Sequence, residues 1–230
     1  MVAIFVALMF VSLVLIDLGI HKWQAWRVAH PAAARSSQSP AMDYRFEVLA
    51  HVPEGVHLAS QHTWVKPDPA GGLAIGADAL IARAVGAIGR IVPPKVGDLV
   101  TAGQPLFRLE QNGRTLSVPS AVTGRVVAVN DRLVQDPELL NTDPYGNGWV
   151  CHLTPTRVEK AATGARFGEQ AVMWLEGEFV RFSEFIAAQL SPDLALGFTS
   201  QDGGVPAEGC LGELGPQAWS AFEANFLRPY

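Results

Sequence analysis

Few residues in this 230-residue chain are equipped for chemistry. It has two cysteines, Cys151 and Cys210, without the spacing of a metal knuckle, a CxxC redox pair or a disulfide framework. A reducing compartment fits that usage, with a single bridge left open. Lysine is also scarce, confined to Lys22, Lys66, Lys95 and Lys160. Charged residues make up only 17%, and the net charge of -5 with a pI near 5.7 argues against a nucleic-acid partner, which clustered cations would announce. There is no Walker loop, Ser/His/Asp signature or paired-carboxylate motif, so no catalytic residue and no metal ligand is assigned. His57, His62 and His152 stand without a second motif, which favours structural histidines over ligands. Strand alternation turns Cys151 inward two residues after Trp149, and Cys210 has no activating base nearby in sequence.

What the chain does have is apolar sequence: 49% hydrophobic, much of it in the first twenty residues. Val2 to Ile20 is nearly unbroken, and twenty helical residues reach roughly 30 Å, one hydrocarbon core. Lys22, Arg27 and Arg35 all follow it and no cation precedes it. The positive-inside bias then sets the N-terminus outside and the rest in the cytoplasm, a single-pass placement in the cytoplasmic membrane. A cleavable signal peptide is the rival, but it needs a basic region before the apolar run. Asp17, near the end of the span, either reaches the interface or faces a partner helix.

The expected organisation is a transmembrane anchor over residues 1–22, a juxtamembrane linker over 23–43, a β domain over 44–164 and a helical extension over 165–230. Short β-type runs punctuated by Gly and Pro predict a small sandwich or flattened barrel, with one helical excursion at Asp78 to Val85. In the extension, Val172, Leu175, Phe179, Phe182 and Ile186 fall at three- and four-residue steps. They line one helix face, which packs on the chain's own domain or on a partner, so these five and Asp17 are the candidate partner contacts. A second short helix is expected over Pro216 to Leu227, burying Trp219, Phe222 and Phe226, with the proline in its first turn.

The central block resembles the glycine cleavage system H-protein family. His62-Thr63-Trp64 is similar to the family's H-E-W start, and Pro94-Lys-Val-Gly-Asp98 to its P-x-V-G-D segment. Val122-Thr-Gly-Arg-Val-Val-Ala-Val-Asn130 resembles V-S-G-x-V-x-x-V-N. Asp136-Pro-Glu-Leu-Leu-Asn-Thr-Asp-Pro-Tyr-Gly-Asn-Gly-Trp149 is similar to N-P-E-L-V-N-x-D-P-Y-G-x-G-W. The likeness covers roughly residues 56 to 155. It implies a mainly β, lipoyl/biotinyl-carrier-like barrel-sandwich hybrid. In such a family lipoate is carried on a lysine within E-S-V-K-A at a hairpin tip, and the cofactor does the chemistry while the protein presents it.

Counting back without gaps from Gly124, Glu110 aligns with that motif's Glu and Gly113 with its Lys. The local text is Glu110-Gln111-Asn112-Gly113-Arg114, and Asn-Gly between strand-like runs is the preference of a two-residue type I′ turn. Glycine has no side chain to acylate, and the guanidinium of Arg114 is a poor acyl acceptor. Lipoate is therefore expected to be absent. The leading expectation is a non-catalytic, membrane-tethered scaffold or adaptor, partnered by the membrane and by other membrane-associated subunits. The alternatives are a lipoyl carrier of the glycine cleavage system, and a regulator that binds lipoyl-handling enzymes as a pseudo-substrate.

Overall fold

The computed structural model describes residues 50–69, 71–156, 164–190 and 206–228. The expected anchor, Asp17 and the linker lie outside the described residues. Among those described, no helix is long and apolar enough to cross a membrane. The described residues all fall in one compact unit, so the sandwich and the helical extension share a body.

The runs between Gly and Pro form short strands. The first three are β1 (His57–Leu58), β2 (Thr63–Pro67) and β3 (Leu73–Ala77), followed by the predicted helical excursion, α1 (Ala79–Val85). Asp78 starts that helix as its N-cap, accepting from the N–H groups of Leu80 at 3.1 Å and Ile81 at 3.3 Å. Next come β4 (Arg90–Val92), β5 (Leu99–Val100), β6 (Pro105–Gln111), β7 (Arg114–Pro119) and β8 (Gly124–Val129). Two short helices, α2 (Asp131–Gln135) and α3 (Leu139–Thr142), lead into β9 (Cys151–Pro155) and β10 (Arg166–Phe167).

Every strand pairing is antiparallel among the described residues. A seven-stranded sheet runs β10-β1-β2-β3-β9-β8-β5, and a three-stranded sheet runs β4-β6-β7. Alternation turns Ile75, Val126 and Leu153 of the larger sheet and Leu109, Leu116 and Val118 of the smaller one into the core. Cys151 is also fully buried there, as alternation predicts. This is the mainly β, two-sheet architecture that the sequence leads one to expect.

The Asp143–Trp149 loop is a packed turn. The Asp143 carboxylate accepts from the backbone N–H of Asn147 at 2.7 Å and from its side-chain amide at 2.8 Å. The indole of Trp64 donates to the carbonyl of Pro144 at 3.0 Å, and the hydroxyl of Tyr145 accepts from the N–H of Ala79 at 3.2 Å. Aromatics thus pin the turn to the sandwich through their polar ends while burying their rings.

The last third is α4 (Gly168–Gln189), α5 (Cys210–Glu213), α6 (Pro216–Phe222) and a wider π-helical turn over Glu223–Leu227. Leu175, Phe179, Phe182 and Ile186 of α4 are fully buried in the chain's own body, and Val172 is half-buried. This corrects their expected availability to a partner: the stripe faces inward because Phe222 and Phe226 supply an aromatic face for it. Phe182 meets Phe222 edge-on at 5.5 Å and Phe226 at 5.9 Å, in the T-shaped geometry aromatic pairs prefer.

Candidate functional site

The hairpin of β6 and β7 pairs Leu109 with Leu116, Glu110 with Thr115 and Gln111 with Arg114. That register leaves Asn112 and Gly113 as the two-residue tip, with φ of 49° and 76°. A left-handed pair is what a type I′ turn demands, and Asn-Gly provides it at little steric cost. A Cβ built on Gly113 would meet no other atom within 4 Å, so the tip opens to free space. A lipoyl attachment needs an amine, and none of Glu110, Gln111, Asn112, Gly113 and Arg114 supplies one. These residues do not fit the group.

The residues flanking the tip hold the hairpin to the body. The Gln111 side-chain amide is buried and donates to the carbonyls of Val85 at 2.7 Å and Ala87 at 2.8 Å, fastening the strand to the end of α1. Arg114 donates to the carbonyl of Gly212 in α5 at 2.5 Å, and its guanidinium lies 5.9 Å from the Trp219 ring centre. Further along β7, the N–H of Ser117 reaches the Glu223 carboxylate at 3.4 Å. β7 is the edge strand of its sheet, and the C-terminal helices cover that edge.

A second polar cluster lies in the core. His62 is fully buried at a φ of 58°; its Nδ1 lies 2.8 Å from the Asp78 carboxylate and its Nε2 3.2 Å from that of Glu178. Burial disfavours the charged ring, but the two carboxylates outweigh it and raise its pKa to about 9. Both ring nitrogens therefore donate at neutral pH. Arg181 balances Glu178 at 3.0 Å, and the imidazole stacks on Trp174 at 5.0 Å. Sequence reasoning gives His62 only its place in the H-x-W start. The signal that could have extended this was Asp78, an acid directly before a helix.

The three candidate histidines do not gather. His57 packs on Phe167 at 5.5 Å, and His152 pairs with Asp68 at 2.7 Å beside Trp149. Among the described residues no group of three or more His, Cys, Asp or Glu could hold a metal ion. Burial pushes both thiols up to about 12, so neither cysteine is a nucleophile at neutral pH.

Known proteins share this architecture's sequence. The chain is 39% identical over 99 residues to the glycine cleavage system H protein of Thermobifida fusca (strain YX), covering 43% of this chain and 78% of that one. It is 37% identical over 110 residues to the namesake from Listeria welshimeri serovar 6b, with 48% and 86% covered. The counterpart from Psychrobacter sp. (strain PRwf-1) is 32% identical over 111 residues, with 48% and 88% covered. A crystal structure of the H protein from Mycobacterium marinum aligns at 27% identity and a TM-score of 0.42, covering 49% of this chain and 97% of that one.

These findings correct the leading functional expectation. Relatives named as glycine cleavage system H proteins match the carrier alternative and not a membrane-tethered scaffold. The expected single-pass membrane placement is set aside with it, since neither those relatives nor any described helix supports it. The model of the family described as glycine cleavage H-protein matches residues 56–175, and the chain belongs to that family.

Proposed function

We propose that this chain takes an H protein's place in the glycine cleavage system without a lipoyl arm at its hairpin tip. It presents the carrier fold to the enzymes that handle H proteins, acts on them as a pseudo-substrate, and performs no catalysis itself. One observation carries the reading: Gly113, which the gap-free count from Gly124 sets against the lysine of E-S-V-K-A, lies in a left-handed turn and offers no amine. Kinship with named glycine cleavage H proteins supports the choice of system. The hydrogen bonds from Gln111 and Arg114 support a hairpin held for docking, since a rigid element presents one fixed shape to a partner.

The test has two arms. Coexpression with a lipoate ligase followed by intact-mass analysis is expected to show no adduct. The purified chain is then expected to slow lipoylation of a genuine H protein in a concentration-dependent way, and no slowing would remove the pseudo-substrate role.

The relatives' names favour a second reading, the lipoyl carrier itself, with its amine displaced from the hairpin tip. Lys95 is exposed in the loop before β5 and Lys66 is half-buried in β2, so Lys95 is the described lysine better placed for that role. A lipoyl adduct mapped to either one would establish the carrier and overturn the lipoate-free reading.

A further inference from the structure

The two sheets leave a seam at the end of β6 away from the hairpin tip. A cavity of about 470 Å³ opens there between the segment 92–95 on one side, 98–101 on another, and 104–108 beneath. That volume lies within the range of small-molecule and peptide-side-chain sites. β5 is the last strand of the seven-stranded sheet, so its outer backbone edge has no neighbour among the described residues. The facing walls carry Pro93, Pro94 and Pro105, which have no N–H to offer across the gap. The β6–β7 ladder also shifts register between Pro105 and Phe107, which locally interrupts the pairing in that wall. The chain's own backbone therefore does not close the seam.

The chemistry lining it is mixed in a specific way. Leu99 is 62% exposed on the rim and Val96 beside it 64%, two large apolar side chains turned to solvent. Lys95 and Arg108 are exposed cations that form no ion pair among the described residues. The single carboxylate, Asp98, already accepts from the Lys95 backbone N–H at 2.9 Å. On a chain of net charge -5, two unpaired cations beside apolar surface mark a local complement to an acidic ligand.

We infer that this seam docks an extended, acidic segment of a partner protein, its backbone along the free edge of β5, its apolar side chains against Leu99 and its carboxylates on Lys95 and Arg108. An extended segment suits the site because an open strand edge offers main-chain pairing, and alternate side chains then point into the cavity. This site is at the opposite end of β6 from Gly113, so it does not depend on whether the hairpin tip carries lipoate; a lipoyl group on Lys95 itself would remove one of its two cations.

The test uses the full chain and labelled short peptides in fluorescence anisotropy. An acidic peptide of alternating glutamate and leucine is expected to bind, and a matched peptide of lysine and leucine is not. The K95E/R108E variant should bind the acidic peptide at least about tenfold more weakly, and raised salt should weaken the wild-type complex. Both substituted side chains are exposed, and an unchanged circular dichroism spectrum would show the variant folded. Slowed amide exchange at Leu99 and Val100 on peptide addition should locate the contact. Absence of binding, equal binding of both peptides, or binding indifferent to K95E/R108E would overturn the inference. So would selective binding to vesicles containing phosphatidylserine with none to the acidic peptide, which would assign the cations and Leu99 to a lipid surface.

Discussion

At the scale of single residues, the proposed loss of the lipoyl arm rests on Gly113. The space above it is empty, so the obstacle to a lysine there is backbone conformation, not room. A φ of 76° costs an L-residue about 1–2 kcal/mol. Gly113→Lys is therefore expected to fold with a stability loss of that order and to become a substrate for lipoate ligase. Intact mass before and after the reaction measures the second outcome, and a folded but unmodified variant would show that recognition, not only the amine, has been lost. The turn is legible in the sequence because Asn-Gly is a local signal whose steric cause lies within two residues. The role of Arg114 is not legible. Its acceptor, Gly212, is 98 residues away, and no local pattern records a contact made only when the chain returns.

At the scale of elements, α4 shows the same division. Its inward stripe is readable from spacing, since Leu175, Phe179, Phe182 and Ile186 recur at helical steps. What the stripe packs against is not, because Phe222 and Phe226 arrive from some forty residues later and spacing carries no address. Phe182→Ala should remove an edge-on aromatic contact from a site with no solvent exposure and cost about 3–5 kcal/mol, measured by chemical denaturation. If the variant lost under 1 kcal/mol, the extension would be packed loosely and would not belong to the core. Asp78 joins elements by a different means. It caps α1 and accepts from His62, so Asp78→Ala removes a helix cap and one of the two carboxylates that hold the buried imidazolium, leaving only Glu178, which is shared with Arg181. Breaking a buried pair from one side costs about 3–5 kcal/mol, more than the ~1 kcal/mol of a cap alone. Asp78→Asn keeps a capping oxygen but not the charge. It should recover the cap and little of the rest, which separates the two contributions.

At the scale of the whole molecule, His62 ties together parts of the chain that lie far apart in sequence. It bonds a carboxylate 16 residues away and another 116 residues away, so the sandwich, the start of α1 and the middle of α4 share one buried charge. The groups facing it are Asp78, Glu178 and, through Glu178, Arg181, with Trp174 and Phe226 excluding water. The His62 pKa is raised from 6.5 unfolded to about 9 folded, so the folded state holds this proton more tightly. The resulting stabilisation is fully present below pH 6.5 and is lost as the pH climbs through about 9. A shift of that size corresponds to about 3 kcal/mol. The prediction is a denaturation midpoint that falls steadily between pH 6.5 and pH 9. His62→Gln should be less stable than the wild type at pH 6.5 and should lose most of that slope. Because the cluster spans the whole unit, sandwich and extension should unfold together: tryptophan fluorescence and far-UV circular dichroism should give one midpoint at each pH. Two midpoints that separate as the pH rises would show instead that the charge holds only α4, and that the sandwich keeps its fold after the helix has left it.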